Sequence, residues 1–447
     1  MPVSPARLAA YEILLRVEQG GAYATDLLHS SHLTRFSDAD KALATELTMG
    51  VLRWRARLDQ ALASACDQPL ARLDLEVLTA LRLGAYQLAY LERVPARAAV
   101  HESVELAKRA RKRSAAPLVN AVLRKIAGRR KAPHAGPSAE AANPRDLAER
   151  YSHPLWLVER WADNFGISSA ARICDFDQRI PATALRLAAD ATDDDLRREG
   201  IEAAPGLLMA RARRLVSGDV TRSKAFASGH VAIQDEASQL VAALVGTGAR
   251  ILDCCAAPGG KTSAIAERNP RAMILAAELH PHRARTLRRR APQANVRVIA
   301  ADALALPLDL PFDRVLADVP CSGTGTLVRN PEIKWRLQPS DLGDLHRKQV
   351  AILRAALDRV VPGGRLVYST CSLEPEENAD VVHQALANLS DFHVLDCRGE
   401  LRKLQEAGEL VWSELAALTR EGFLQTLPGV HPCDGFFAAV LEREPSS

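Results

Sequence analysis

From about residue 229 onward the sequence alternates short apolar runs with amphipathic stretches, and this alternation restricts the fold more than any other feature. RILDCCAA, AMILAAEL, VRVIAAD, DRVLADVP and GGRLVYST are the strand candidates. TSAIAER, PHRARTLRRR, LGDLHRKQVAILRAALDRV and PEENADVVHQALANL are the helices between them. Strands separated by helices form βαβ units, hence a mostly parallel sheet with helices on both faces. GFFAAVLER, near the end, reads as one further strand, antiparallel at or near an edge. The expectation for 229–447 is an open α/β domain.

Residues 1 to about 130 read differently. Apolar residues recur at three- and four-residue intervals in ARLAAYEILLRVE, ALATELTMGVLRWRARLDQALA, LEVLTALRLGAYQLAYL and VHESVELAKRA, which predicts an all-helical domain. Pro69, Pro95 and Pro117 fall where helices are expected to start. Ser37 with Asp40 and Lys41 marks another start, with a carboxylate in the first turn. RRKAPHAGPSAEAANP (129–144) lacks periodicity and reads as a linker, taken as 131–144. Residues 145–228 begin with helical YSHPLWLVERWADNFG, followed by TALRLA as a strand and DDDLRREG as a short helix. They are expected to form a small α+β subdomain. A chain of 447 residues is too long for one core, so several domains are required.

Charge separates the same regions. Residues 1–131 hold 21 Lys and Arg against 13 Asp and Glu, whereas the remainder holds 37 against 41. The basic runs KRARKR (108–113) and RRK (129–131) stand in the helical part. A basic small domain joined to an acidic larger one fits a polyanionic partner, although each run alone is equally a solvated helix end. Eight cysteines are too sparse for a disulfide scaffold, and none forms a C-x-x-C pair or a zinc spacing with histidine. Free thiols are expected, and no bound metal. No apolar run is long enough to cross a bilayer, and the first residues lack a signal-peptide pattern, so a cytoplasmic location is expected.

In an open parallel sheet, ligands bind outside the carboxyl ends of the strands. The first strand of the α/β region runs into Asp253-Cys254-Cys255-Ala256-Ala257-Pro258-Gly259-Gly260-Lys261-Thr262. Its glycines allow a tight turn and close main-chain approach to a ligand. The spacing is neither G-x-G-x-x-G nor that of a P-loop, which argues against a nucleoside triphosphate. Glu278, Asp302 and Asp318 then follow three successive strand candidates. A carboxylate after the second strand suits ribose hydroxyls, and Asp302 suits an adenine amino group. For each one alone, loop capping is the plain alternative. Two cysteines also stand at strand ends, Cys321 in DVPC and Cys371 in STCS. Two thiols beside a cofactor loop point to covalent chemistry. Spacing and strand context do not say which one attacks.

DCCAAPGGKT, AELHPHR, ADA, DVPCSGTGT, NPEIKWR, STCSLEPEEN and HPCDGFF occur in the order seen in the S-adenosylmethionine-dependent RNA cytosine-C5 methyltransferases, and residues 229–443 resemble that family. The helical start resembles NusB-like RNA-binding domains. The combination is similar to members that act on small-subunit (16S) ribosomal RNA. Two departures are visible: Cys254 stands where the family often has an aliphatic residue, and Glu278 where it has Asp. Glutamate still grips a diol, and Cys254 packs like a small hydrophobe. The resemblance implies a Rossmann-like class I methyltransferase domain after a NusB-like domain and an α+β subdomain. It implies S-adenosyl-L-methionine as cofactor, held by Cys255, Ala256, Ala257, Pro258, Gly259, Gly260, Lys261, Glu278, Asp302 and Asp318.

The chemistry this implies is specific. A thiolate adding to C6 of cytosine turns C5 into a carbon nucleophile able to take a methyl group. The Pro-Cys motif of DNA cytosine methyltransferases favours Cys321 as nucleophile. The RNA family assigns attack to the Thr-Cys cysteine, here Cys371, with Cys321 assisting loss of the C5 proton and release of the adduct. Cys371 stands in a strand-to-helix turn, where amides and a helix N-terminus favour a thiolate. Asp318 is the candidate for N3 of the ring, with turn capping as its plain alternative. Lys261 suits the cofactor's carboxylate end or the turn backbone, or is a surface lysine. Gln234-Asp235-Glu236 precedes a helix expected to flank the cofactor, and Ser322–Thr326 is expected to be flexible. Asn330, Lys334 and Arg336 suit an RNA backbone or an ordinary charged loop, and Trp335 suits packing more than base stacking.

The target base must be unpaired or flipped to expose C6. The basic helical domain and the arginines of 283–290 supply sequence-independent phosphate contacts. A monomer acting on free or partly assembled 16S RNA is expected, away from any membrane. Transfer-RNA cytosine methylation and a non-catalytic RNA-binding assembly factor are the competing readings. Retention of both cysteines and Asp318 speaks against the second.

Overall fold

The computed structural model describes residues 3–30, 35–128, 143–307 and 309–446. The chain forms two compact units, Met1–Arg179 with Leu327–Arg336, and Ile180–Thr326 with Leu337–Ser447.

In the first unit, helices Pro5–Gly20, Ala24–Leu28, Asp38–Ala63, Leu75–Tyr90, Ala96–Arg109 and Ala116–Ala127 realise the expected all-helical start. Their apolar stripes meet in one core that includes Leu14, Leu47, Leu52, Leu81 and Leu123. Ser37 begins its helix as expected, its Oγ accepting from Asp40 N at 3.1 Å. Gly50 lets the Tyr86 ring lie against the Asp38–Ala63 helix, since a Cβ there would stand 2.0 Å from the ring. Residues 129–142 of the expected linker lie outside the described residues. Asn143 and Pro144, assigned to that linker, instead begin the helix Pro144–Arg150, where Asn143 Oδ1 accepts from Asp146 N at 3.0 Å.

The stretch expected as one α+β subdomain at 145–228 is divided between the units. Its helices Pro144–Arg150, Leu155–Phe165 and Ile167–Asp177 join the helical unit. Polar contacts hold them there: Ser152 Oγ accepts from Ala56 N at 2.9 Å, and Gln178 Nε2 donates to Arg53 O at 3.2 Å.

Its strands open the second unit. β1 (Ala184–Leu187), β2 (Glu202–Pro205), β3 (Ala212–Ser217) and β4 (Val231–Ile233) form an antiparallel sheet in the order β2-β3-β1-β4. The second sheet contains β5 (Arg250–Asp253), β6 (Met273–Glu278), β7 (Val296–Ala300), β8 (Phe312–Asp318), β9 (Val360–Thr370), β10 (Phe392–Leu395), β11 (Thr419–Arg420), β12 (Phe423–Thr426) and β13 (Phe436–Arg443). Its order is β11-β12-β13-β9-β8-β5-β6-β7, with β10 also on β13. The pairs from β9 through β8, β5 and β6 to β7 are parallel. β13 is antiparallel to β9, as expected, but β12 and β10 cover its other side, so it is not the edge.

Strand residues alternate between two cores. Ile251, Ile274, Leu316 and Val367 pack with Leu240, Ile265, Leu287 and Leu401 on one face. Leu252, Leu275, Val315 and Leu366 pack with Val350, Leu353, Val381 and Val382 on the other. Helices therefore cover both faces, as a sheet with double-sided apolar strands requires. Chain direction across the sheet reverses between β5 and β8, the switch point at which such folds bind ligands. Among the described residues no helix is long and apolar enough to cross a membrane, and no cluster of ligands suits a metal ion.

Candidate active site

The loop after β5 leads from Asp253 to the helix Gly260–Arg268. Gly259 makes the turn at φ +110°, a conformation that favours glycine, and a Cβ there would crowd Leu287 at 3.1 Å. Asp253 is buried, and its Oδ2 accepts from Thr262 Oγ1 at 2.7 Å. Burial raises its carboxyl to about 7, the Thr262 hydrogen bond opposing and the nearby Asp318 charge reinforcing the shift.

Lys261, in the first turn of that helix, reaches across the switch point to β8. Its Nζ lies 2.8 Å from Asp318 Oδ2 and 4.7 Å from the centre of the Phe436 ring. Burial alone would lower the Lys261 ammonium, but the charge and hydrogen bond of Asp318 outweigh burial and raise it. Lys261 is therefore not the surface lysine that its plain alternative describes; its partner in the structure is Asp318. Asp318 is opposite Ser369 in the β8–β9 register, and its Oδ1 accepts from Ser369 Oγ at 2.7 Å. Both oxygens of this carboxylate are therefore engaged.

The other acidic candidates separate. Glu278, at the end of β6, is buried and accepts from His280 N at 3.0 Å, with Arg283 Nη1 3.6 Å away. Asp302, beyond β7, is exposed and caps the next turn, accepting from Leu304 N at 3.0 Å. The capping alternative is thus realised at Asp302, although its position beyond the strand end is as expected.

The two thiols come together. Cys321 Sγ and Cys371 Sγ are 3.4 Å apart, each half-buried. The hydrogen bond to Cys371, and then burial, push the Cys321 thiol well up, while the Cys371 backbone amide acts in the opposite direction. The helix expected after Cys371 starts only at Ala379, beyond a 3-10 turn at Pro375–Glu377. Ser322–Thr326, expected to be flexible, is tied down: Gly325 N donates to Cys371 O at 2.9 Å, and Thr324 is buried. Gly325 lies so close to Gly435 that a Cβ would meet its carbonyl oxygen at 2.1 Å.

Residues outside the expected set complete the site. Glu377 is buried beneath both cysteine loops and accepts from Ser322 N at 2.8 Å and Ser372 Oγ at 2.5 Å. Phe436 supplies the ring beneath Lys261. The only trace of Glu377 in the sequence is a carboxylate in SLEPEEN, six residues after Cys371. The helix after Asp235 forms as expected, but Glu236 accepts from Leu207, Leu208 and Met209 N, tying it to the β2–β3 turn.

In NPEIKWR, Asn330 is half-buried and the two charged candidates are engaged within the protein. Lys334 is 1% exposed and donates to Arg53 O at 3.2 Å, and Arg336 donates to Val17, Gly21 and Ala22 carbonyls. Trp335 packs, as its plainer reading required, with Nε1 donating to Leu52 O at 2.6 Å. These residues belong to the helical unit.

A family model described as 16S rRNA methyltransferase RsmB/F matches residues 244–442, and the NusB family model matches residues 4–128. A Bacillus subtilis protein named probable ribosomal RNA small subunit methyltransferase B is 35% identical over 99% of this chain and 100% of its own length. The chain belongs to the RsmB/F methyltransferase family. A Pseudomonas putida member, ribosomal RNA small subunit methyltransferase B, is 34% identical over 90% of this chain and 93% of its own. The solved structure of PH0851 shares the fold across 99% of this chain and 100% of its own, at 21% identity and a TM-score of 0.78. The cofactor of the RsmB/F family is S-adenosyl-L-methionine. The donor set fits it: carboxylates beyond successive strand ends for hydroxyl and amino groups, and a glycine-bearing main-chain loop at the switch point.

Proposed function

We propose that this protein methylates C5 of a specific cytosine in 16S ribosomal RNA, through a covalent bond between Cys371 and C6 of the base. The observation that carries this reading is the pair of sulfurs 3.4 Å apart, at strand ends next to the Lys261–Asp318 pair. Bound S-adenosyl-L-methionine supplies the electrophilic methyl group. We assign its binding to Cys255–Lys261, Glu278, Asp302 and Asp318. Lys261 acts there through Asp318, and Glu278 is the acceptor for the ribose diol.

As the Cys371 thiolate adds to C6, charge develops on N3 and needs a proton. Asp318, as a carboxylate, has none to give. Lys261, 2.8 Å from it, does. The pair, rather than Asp318 alone, is therefore assigned to N3. After C5 gains its methyl group, it must lose its proton to a base; the C6–sulfur bond then breaks, and the ring recovers aromaticity. Cys321, 3.4 Å from Cys371 and half-buried, is assigned to take that proton as a thiolate, its own proton having first passed to solvent.

The helical unit and the exposed arginines of the helix Pro281–Arg290 supply phosphate contacts to free or partly assembled RNA, with the protein acting as a cytoplasmic monomer. Bisulfite sequencing of RNA from a strain lacking this protein tests the reading. One 16S cytosine should lose protection and regain it on complementation. An unchanged 16S pattern, with a lost transfer-RNA signal, would reassign the substrate.

A further inference from the structure

We propose that Glu377 is a positioning residue that sets the separation of the two cysteine sulfurs. The proposal rests on the assignment of Cys321 and Cys371 to the reaction.

Glu377 is 0% exposed, yet its carboxylate is surrounded by donors. Oε1 accepts from Ser322 N at 2.8 Å and from Gln349 Nε2 at 2.9 Å. Oε2 accepts from Ser372 Oγ at 2.5 Å and also from Ser322 Oγ. Ser322 directly follows Cys321, and Ser372 directly follows Cys371. One carboxylate thus holds the residue next to each sulfur. Gln349 also donates to Pro320 O at 2.9 Å, so the residue before Cys321 is tied to the same group. The clamp is itself fixed to the sheet, because Tyr368 Oη on β9 donates to Glu377 O at 2.6 Å.

A carboxylate suits this place better than any neutral side chain. It offers about four acceptor directions and no donor, matching four inward-pointing N–H and O–H groups. Hydrogen bonds to an ionised acceptor in a dry site are also the strong ones. The two hydroxyls also meet each other, Ser322 Oγ lying 3.0 Å from Ser372 Oγ with Thr324 Oγ1 3.4 Å from the latter, but Glu377 accepts from both serines at once. Gly325 N to Cys371 O and Leu373 N to Thr324 Oγ1, at 2.9 Å each, align the chain without them. A carboxamide at 377 would direct an NH₂ group at hydroxyls that now donate, and would loosen the clamp without opening a cavity.

Two readouts on Glu377→Gln test this. The first is turnover on 16S RNA: kcat should fall by about 10- to 100-fold, as expected for misplacement of a reacting group by about an ångström. KM for RNA and affinity for S-adenosyl-L-methionine should stay within about 2-fold. The second needs no RNA. Diamide withdraws two electrons and two protons from the two thiols, becoming the hydrazine as the Cys321–Cys371 disulfide forms. Closure, followed by peptide mass, should be about tenfold slower in the variant if the sulfurs are held less closely. If Glu377→Gln lowers the melting temperature substantially, Ser322→Ala with Ser372→Ala makes the same test and should slow closure likewise. Unchanged closure and kcat in these variants overturns the proposal. Failure of the wild-type protein to methylate RNA would defeat the functional reading instead, and leaves the closure measurement intact.

Discussion

Two sulfurs 3.4 Å apart cannot both ionise readily, because each thiolate opposes the other. The hydrogen bond to Cys371 and burial push the Cys321 thiol well up. Cys371→Ala should then abolish methyl transfer while leaving cofactor affinity unchanged. Cys321→Ala should accumulate a protein–RNA species that survives denaturing electrophoresis; its appearance with Cys371→Ala instead would exchange the two roles. Both cysteines were legible in the sequence because each closes an apolar run. The partner of Lys261 was not, since nothing in the spacing of DCCAAPGGKT and DVPC shows that the sheet order sets β5 beside β8. Asp253 gives a further prediction at this scale. Its folded carboxyl at about 7 lies above that of an unfolded chain, so the folded state holds the proton more tightly. Stability from this group is fully present below about pH 4 and is lost as pH rises to about 7. The shift corresponds to on the order of 4 kcal/mol, at about 1.4 kcal/mol per unit. The melting temperature of Asp253→Asn relative to wild type should accordingly climb between about pH 5 and pH 7. A flat difference would mean that the carboxyl is not held protonated.

At the scale of elements, the helix Pro281–Arg290 shows how the same sequence serves two faces. Ala284 and Leu287 turn into the core, while Arg283, Arg285, Arg288, Arg289 and Arg290 are exposed. No acidic residue occurs from 279 to 301. Arg283 donates to Ala257 O in the loop after β5 at 3.3 Å, and the Arg290 side chain lies against Gly259 of that loop through its Cβ, which glutamine retains. Replacing Arg285, Arg288, Arg289 and Arg290 by glutamine should raise KM for RNA by about 10- to 100-fold and flatten its salt dependence by about 2 to 3 in log–log slope, at about 0.7 per phosphate contact. Cofactor affinity should not move. Equal salt slopes for variant and wild type would leave this face as a merely solvated one. The strands and helices of this half were legible because strands buried on both faces read as continuous apolar runs. The antiparallel end of the sheet was less so: β11 has 2 residues and β12 has 4, too few to show a period. NPEIKWR left its reading open for a different reason. Its charged heads reach backbone carbonyls, so a buried plug carries the composition of a surface loop.

The whole molecule departs from sequence order in one respect: the helical unit is completed by Leu327–Arg336, which stands between the Cys321 loop and the helix Pro339–Leu357 in the chain. The segment supplies groups that the rest of the unit lacks. Glu332 Oε1 accepts from Ala24 N at 2.7 Å, Trp335 satisfies Leu52 O at 2.6 Å, and Lys334 satisfies Arg53 O at 3.2 Å. Arg53 Nη2 in turn donates to Val328 O at 3.1 Å. Burial lowers the Lys334 ammonium to about 7, so even a costly buried amine is retained here. Residues 1–179 alone would leave Ala24 N, Leu52 O and Arg53 Nη2 without these partners, whereas Arg53 O keeps Gln178 Nε2. The cost is about 1 kcal/mol or more for each group that stays buried and unpaired. We therefore expect a fragment of residues 1–179 to melt below the same fragment extended by a flexible linker carrying residues 327–336. Trp335→Ala should cancel most of the gain, because it removes both the indole hydrogen bond and the apolar contact beside Leu52. If the extended and plain fragments melt together, the first unit is complete without the segment, and its burial is a consequence of where the chain passes rather than a requirement of the helical fold.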